Sequence, residues 1–414
     1  MSDGKRILIV GLNYAPEHTG IAPYTTGVAR GLADAGHRVT VIAGYPYYPQ
    51  WRVAEGYRRL VRHETDGNVA ITRLRHHVPS SSTGPGRIVH EASFALHALL
   101  RTIGREWHTF DVVIGVSPSL LSTAAARWIA RRAGAPFGVV VQDIYANSIA
   151  EIGALGGRAG SAVLRAEGAL LRGADGIVAV HDHFERTLRD VHDVASDHIT
   201  VIRNWTHIRP PTADRALVRR EFGWPDDRLV VLHAGNMGAK QDLTSVVRAA
   251  RLADERSVPI HFVLVGDGAQ RHDVVQAAVG VPTVSVSPPV AEDRFPDLLA
   301  AADVLLVNER PGLRTMSVPS KLTSYFAAGR PVVAVTDPDS PANAELTSSG
   351  AGVRVPPGEP SALLDAVLEL GDDRVRARWL GENGRRYADA VLCERDAVAA
   401  YGRWVEDLVK REAK

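Results

Sequence analysis

Four loops of this chain combine glycines, prolines and single charged residues in patterns suited to holding a phosphate or a sugar. The first is Gly11-Leu-Asn-Tyr-Ala-Pro-Glu-His-Thr-Gly20, which follows an apolar run and leads into a helix start at Pro23. Such a loop presents main-chain N–H groups and the positive end of a helix. Gly20 lets the backbone approach a ligand closely, or else is a plain turn residue. His18 stands in the same loop. The second is Gly235-Asn236-Met-Gly238-Ala-Lys240-Gln-Asp-Leu, two glycines and then a lysine at the mouth of a helix. Amides and one ammonium there can hold a diphosphate, although solvated lysines also occur at helix starts. The third, Gly266-Asp267-Gly268, reads as a ligand loop or as a tight turn. The fourth runs Asn308-Glu309-Arg-Pro-Gly312-Leu-Arg-Thr-Met-Ser317-Val-Pro319-Ser320-Lys321-Leu. Pro319 fits the first turn of a helix, so amides of residues 317–321 point outward at an anion. Glu309, at the carboxyl end of a strand, offers its oxygens to sugar hydroxyls.

Other patterns carry less. Asp337-Pro-Asp339 has the form of a metal-binding Asp-x-Asp, but its proline and its place after an apolar run favour a turn. His181-Asp-His183 has no further ligand at helical spacing, which favours strand-end and helix-cap roles. Arg58-Arg-Leu-Val-Arg62-His, with Arg73 and Arg75, lies among Tyr45, Tyr47, Tyr48 and Trp51. A solvated face explains this basic run, and a platform beside anionic lipid is the alternative. The Gly-x-Gly-x-x-Gly dinucleotide fingerprint is missing, as is a Walker A order.

The loops need elements to position them. Thirteen apolar runs of four to seven residues, rich in Val and Ile, alternate with helix-like segments. Runs with so little polar alternation suit strands buried on both faces of parallel sheets. They divide seven and six around residues 204–212, a Pro-containing connection, and thus predict two doubly wound α/β lobes. Two such lobes imply a cleft at the carboxyl ends of their strands. With 414 residues, 45% apolar and 23% charged, the chain is long enough for two or three globular domains. A net charge of +1 gives no support to a nucleic-acid binder. The single cysteine, Cys393, excludes a disulfide framework. No run reaches the length of a membrane span, and the reading is a cytoplasmic protein.

Taken together, these segments resemble the retaining nucleotide-sugar glycosyltransferases of family four, of GT-B architecture, and among them the subgroup acting in exopolysaccharide, colanic-acid and O-antigen assembly. The likeness rests on Tyr14-Ala-Pro-Glu-His-Thr-Gly20, Gly36-His-Arg-Val-Thr-Val, Val201-Ile-Arg-Asn204-Trp, the loop from Gly235, and Pro319-Ser-Lys-Leu through Ala327-Ala-Gly-Arg-Pro-Val-Val-Ala. It implies a Rossmann-like acceptor-binding domain over 1–204, a Rossmann-like donor-binding domain over 213–390, and a helix over 391–414 that returns to the first, with Trp404 as a packing residue. It implies a hexosyltransferase-type enzyme, a donor that is a UDP- or GDP-linked sugar, and neither metal ion nor separate cofactor.

By position, Lys240 with Gly235, Asn236 and Gly238 would hold the diphosphate. Ser317, Ser320 and Lys321 would meet phosphate, ribose or sugar, with Gly266, Asp267 and Glu309 nearby. Pro289 and Val290 would meet the base. Gly20 would close on the phosphates, and His18 and Tyr145 would face the acceptor, a glycan or a lipid-linked sugar at the inner face of an anionic plasma membrane. The chain departs from its relatives in carrying Met316 and Ser324 for a glutamate pair, Asn236 for an arginine, and Gln142 for a histidine. Asp143, just after Gln142, either faces the reaction centre or merely ends a strand. Lys240, Lys321 and Asp143 are the catalytic candidates. Rival readings are a sugar-nucleotide-binding protein without catalysis, a 2-epimerase of the same architecture, and an NAD-dependent oxidoreductase.

Overall fold

Valine-, isoleucine- and leucine-rich runs become strands here because apolar cover is found on both faces of each. The computed structural model describes residues 4–18, 20–48, 50–79, 85–101, 109–144, 157–312 and 320–412. Contacts divide the chain into two units, Met1–Asn204 with Glu394–Lys414, and Trp205–Cys393.

The first unit begins β1 (Arg6–Gly11), α1 (Ala22–Asp34), β2 (Arg38–Gly44), β3 (Val61–Asp66), β4 (Val69–Leu74) and α2 (Pro85–Arg101). It continues β5 (Val112–Ser117), α3 (Leu120–Ala133), β6 (Phe137–Val141), α4 (Gly157–Leu171), β7 (Gly176–Ala179), α5 (Asp182–Asp190) and β8 (Ile199–Val201). Its eight strands lie in the order β3-β4-β2-β1-β5-β6-β7-β8. All pair in parallel except β3, which runs antiparallel to β4.

β3 corrects the sequence reading. Its charges, Arg62, Glu64 and Asp66, occupy every second position, so no apolar run announces it. Arg73, read as part of a basic face, is 2% exposed. Its Nε lies 3.1 Å from Glu64 Oε2, its guanidinium donates to the carbonyls of Gly44 and Ala15, and it stands 5.6 Å from the Tyr14 ring centroid. An arginine that far from water requires such partners. Tyr45 and Tyr47 are buried as well, Tyr47 against Trp51, His76 and His90. Of the residues read as a basic face or lipid platform, Arg73, Tyr45 and Tyr47 are therefore interior, while Arg58, Arg59, Arg62 and Arg75 are exposed.

The second unit starts α6 (Arg215–Glu221), β9 (Leu229–Ala234), α7 (Leu243–Glu255), β10 (Ile260–Val265), α8 (Arg271–Ala278), β11 (Val284–Ser287) and α9 (Phe295–Ala301). β12 (Val304–Asn308), α10 (Lys321–Ala327), β13 (Val332–Val335), α11 (Pro341–Ser349), β14 (Gly352–Val355), α12 (Pro360–Asp372) and α13 (Arg374–Val391) follow. Its parallel sheet has the order β11-β10-β9-β12-β13-β14, and each face supports its own apolar cluster. The connection after Asn204 is fastened to this unit: Arg209 pairs with Asp297 at 2.8 Å, and the Thr212 amide donates to the same carboxylate at 2.7 Å.

α14 (Glu394–Glu412) belongs to the first unit. Tyr401, Trp404, Val405 and Leu408 are its buried residues. Glycines make room for it: a Cβ on Gly31 would lie 2.2 Å from Val398, one on Gly138 2.5 Å from Trp404, and one on Gly176 2.8 Å from Leu408. Replacing Trp404 by Ala should cost the first unit about 3–5 kcal/mol. In urea denaturation its transition should move to lower denaturant while that of the second unit stays; an unshifted first transition would refute the packing role.

Candidate active site

In a doubly wound sheet the loops leaving the two central strands diverge and open a crevice at their carboxyl ends. In the second unit those strands are β9 and β12. The loop from Gly235 leaves the first, and Glu309 follows the second.

The two glycine loops are packed main chain on main chain. Gly235, Gly266 and Gly268 have φ of 135°, 151° and 152°. A Cβ on Gly266 would fall 1.8 Å from the Gly235 carbonyl oxygen, and one on Gly268 2.6 Å from Asn236 Oδ1. The Gly235 amide donates to the Val265 carbonyl at 2.9 Å, the Met237 amide to Asp267 at 2.8 Å, and the Gln270 amide to Met237 at 2.9 Å. The buried Met237 side chain pegs the loop to the core. The Gly238 amide donates to Gln241 Oε1 at 3.0 Å, so the amides of Gly235, Met237 and Gly238 are engaged within the protein. Asn236 is exposed. The Asp267 carboxylate accepts the Gly268 amide at 2.8 Å and shapes its own turn. Beside it the Gly266 amide donates to Ser287 at 3.0 Å. Past Ser287, Pro289 is exposed and Val290 rests partly buried on the core.

α10 brings the lysine. Tyr325, fully buried, accepts the Ala234 amide on its hydroxyl at 2.9 Å and so fixes α10 to the end of β9. One turn earlier on the same face, Lys321 Nζ would stand 3.7 Å from a Cβ on Gly235. It is 3.4 Å from Nε2 of His233, a fully buried residue of β9. His233 Nδ1 faces the Leu306 carbonyl at 3.3 Å, which leaves Nε2 as acceptor for the ammonium. Burial, then the Lys321 charge, holds the imidazole pKa well below its usual value, so it stays neutral. Burial also pushes Lys321 down to about 8, with Glu309 opposing. Glu309 is raised by burial, against a hydrogen bond from Thr336 and the charges of Lys321 and Lys240, while Asp337 adds to the rise. The Lys240 carbonyl accepts the Arg310 amide at 2.9 Å. Asn308, 1% exposed, donates to the carbonyls of Gln241 and Asp242 at 2.7 and 3.1 Å.

The structure thus gathers Gly235, Asn236, Gly238, Lys240, Gly266, Asp267, Glu309 and Lys321 at the carboxyl ends of β9, β10 and β12. Ser320 is exposed at the start of α10. Ser317 lies outside the described residues, as do Tyr145 and Met316. Ser324, at the place of the relatives' second glutamate, is buried. His233 and Tyr325 escaped the sequence reading; a histidine closing an otherwise apolar run just before a glycine loop was the one signal available for His233.

Gly20, His18 and Asp143 belong to the first unit. Gly20 has φ 67°, and a Cβ on it would meet the Tyr48 ring at 3.1 Å. His18 is exposed. Its neighbour Glu17 is 7% exposed and shapes the loop: Oε1 accepts the amides of Tyr47 and Tyr48, both at 2.8 Å, and burial raises its pKa. Asp143 Oδ1 accepts the Ile144 amide at 2.8 Å, and its carbonyl accepts the Ser117 hydroxyl at 2.9 Å, joining the ends of β6 and β5. Asp337 accepts the Gly312 amide at 2.7 Å, a turn role, and His181 Nδ1 caps α5 by accepting the His183 amide at 3.0 Å. Among the described residues no three His, Cys, Asp or Glu side chains group as metal ligands.

Tight packing of the glycine loops can be tested with two alanines. Gly280 has φ 75° with open space around it, so Gly280→Ala should cost on the order of 1–3 kcal/mol from backbone strain alone. Gly266→Ala must also push the touching main chains away from each other, and should lose clearly more stability in urea denaturation. Equal losses would show that the contact yields.

Two family models match the chain, "Glycosyl transferase 4-like domain" over residues 19–205 and "Glycosyl transferases group 1" over residues 228–373. WcaI of Escherichia coli (strain K12), named for colanic acid biosynthesis glycosyl transfer, is 31% identical over 334 residues, 78% of this chain and 81% of WcaI. The fold matches sucrose-phosphate synthase from Thermosynechococcus elongatus with a TM-score of 0.73 at 16% identity, over 98% of this chain and 100% of that one. It matches Anabaena Alr3699/HepE, solved in complex with UDP, with a TM-score of 0.70 at 14% identity, over 97% and 100%.

Proposed function

We propose a donor, a course of reaction and an acceptor class for this chain, which belongs to the GT-B glycosyltransferases with a family-four-like first domain and a group 1 second domain. The donor is a nucleoside-diphosphate sugar, UDP- or GDP-linked, held by the second unit. The observation that carries this is the Lys321 ammonium beside the interlocked loops of Gly235 and Gly266 at the β9/β12 crevice. Binding of UDP by HepE supports a uridine donor as the first to test.

Departure of the sugar builds negative charge on the diphosphate and positive character on the ring. Fixed dipoles and cations stabilise the first without reorganising, and one well-placed donor of this kind is worth about 2.7–4 kcal/mol. Lys321 and Lys240 supply that cationic help in place of a metal ion. The leaving phosphate takes the acceptor proton on the same face, which gives retention. The first unit binds the acceptor, with His18 facing it and Asp143 orienting the hydroxyl or stabilising developing charge. The likeness to WcaI supports a glycan or lipid-linked acceptor in cell-surface polysaccharide assembly. Such an acceptor sets the protein at the cytoplasmic face of the plasma membrane; among the described residues no helix is long and apolar enough to cross one.

Thermal shifts with UDP, GDP, ADP and NAD, followed by an assay of donor hydrolysis, test the donor. Stabilisation by UDP or GDP with slow hydrolysis supports transfer. Stabilisation without any turnover favours a binding protein, in line with the buried Ser324, and stabilisation by NAD alone overturns the reading.

Lys321→Ala should lower turnover roughly tenfold or more with intact folding. In the wild type, kcat/KM for the donor should fall as pH rises through about 8, where Lys321 of the free enzyme loses its proton. Stability moves the other way: the unfolded lysine, at the usual 10.5, binds more protons than the folded one between these values, so folding gains as pH rises. A kcat/KM that is flat to pH 10 would remove Lys321 from the chemistry.

A further inference from the structure

Glu309 follows β12 directly and Thr336 follows its neighbour β13, so both stand at the same end of the sheet. Main chain fixes them there: the Glu309 amide donates to the Val335 carbonyl at 2.9 Å, and the Thr336 amide to the Val355 carbonyl at 3.0 Å. The Thr336 hydroxyl then donates to Glu309 Oε2. Thr336 Oγ1 also lies 2.7 Å from Ser340 Oγ, which accepts the Asn343 amide at 3.1 Å as the N-cap of α11. Thr336 and Ser340 are 0 and 1% exposed, too deep for bulk water to satisfy either hydroxyl.

This row of hydrogen bonds has one direction. An ionised carboxylate has no proton to give, so the single Thr336 proton goes to Oε2. Thr336 must then accept from Ser340, whose oxygen is met from the other side by the Asn343 N–H. The row starts at a helix N-terminus, where amides are unpaired and the dipole is positive, and it ends on a negative oxygen. A proton on Oε2 would reverse it and leave the buried Ser340 proton without an acceptor among these partners.

Glu309 Oε1 is in the opposite position. It is accessible and has no partner among the described residues, and Glu309 forms no ion pair with any of them. The charges that face Glu309 are Lys321 on α10, Lys240 in the loop after β9 and Asp337 beyond β13. Burial raises its pKa, and the Thr336 bond and both lysines oppose the rise.

We propose that Thr336 and Ser340 are positioning residues, which hold Oε2 as an acceptor and so present an ionised Oε1 to a hydroxyl of the donor's sugar. A sugar with a hydroxyl at that place is then selected over its deoxy counterpart, which would leave the oxygen unpaired. The role of Oε1 rests on the nucleotide-sugar reading; the state of the carboxyl does not, and it is measured without ligand.

NMR of the full chain, isotope-labelled at its glutamate carboxyls, follows the Glu309 titration, with the signal identified by its loss in Glu309→Gln. Thr336→Val keeps the shape and removes the donor, so the midpoint should rise by about one pH unit. Thr336→Ser should restore the wild-type midpoint, and Ser340→Ala should raise it by less than Thr336→Val. Thermal midpoints check folding, and Ser340→Ala decides if Thr336→Val does not fold. With UDP-glucose as the probe, the acid limb of kcat/KM for hydrolysis should move up in pH by the same interval. Unchanged carboxyl midpoints in the valine and alanine variants overturn the proposal, as does a Thr336→Ser midpoint that stays with that of Thr336→Val. A moved midpoint with an unmoved acid limb overturns the contact of Oε1 with the sugar. A wild type inert toward UDP-glucose counts against the donor, while the carboxyl midpoints still decide the roles of Thr336 and Ser340.

Discussion

The Gly266 Cα and the Gly235 carbonyl approach so closely that no side-chain carbon fits between them. Much of the second unit serves to keep that contact in place. Met237 plugs the loop into the core, and the Asn308 side-chain amide reaches back to the carbonyls of Gln241 and Asp242. Tyr325 takes the Ala234 amide, so the exit of β9 is gripped by β10 on one side and by β12 and α10 on the other. A crevice held in this way presents its groups without rearranging them, which is the condition for electrostatic stabilisation of a reacting diphosphate.

Charge in that crevice is finely divided. Lys321 gives up hydration and finds a neutral imidazole on one side and the field of Glu309 on the other. Glu309 is itself desolvated and leans on the Thr336 hydroxyl and the two lysines. An incoming phosphate favours the ammonium form, so binding and protonation are linked: the anion draws the lysine pKa back up as it arrives. His233 serves this arrangement by remaining uncharged, since a second cation at 3.4 Å would repel the first.

What could be read from the chain alone follows the range of the interactions. The continuously apolar strands were legible because burial on both faces leaves a local signature, and the glycine loops because open backbone approach demands glycine. β3 was not, since its alternating charges look solvated until Glu64 finds Arg73 on the neighbouring strand. For the same reason Arg73 and Tyr47 read as surface residues although they are interior. His233 and Tyr325 were invisible because their partners come from the other side of the crevice, Tyr325 meeting Ala234 across 91 positions of sequence. A polar residue in an apolar run does not reveal what it will bond to.

The return of α14 to the first unit bears on how the molecule is born. On the ribosome, α1, β6 and β7 emerge with the hollows over Gly31, Gly138 and Gly176 still bare, and the whole second unit follows before Trp404 and Leu408 can fill them. Domains made first usually close first. Here the first unit is begun before the second and completed after it, and a chain cut short before α14 would leave the apolar floor of its first unit open to solvent.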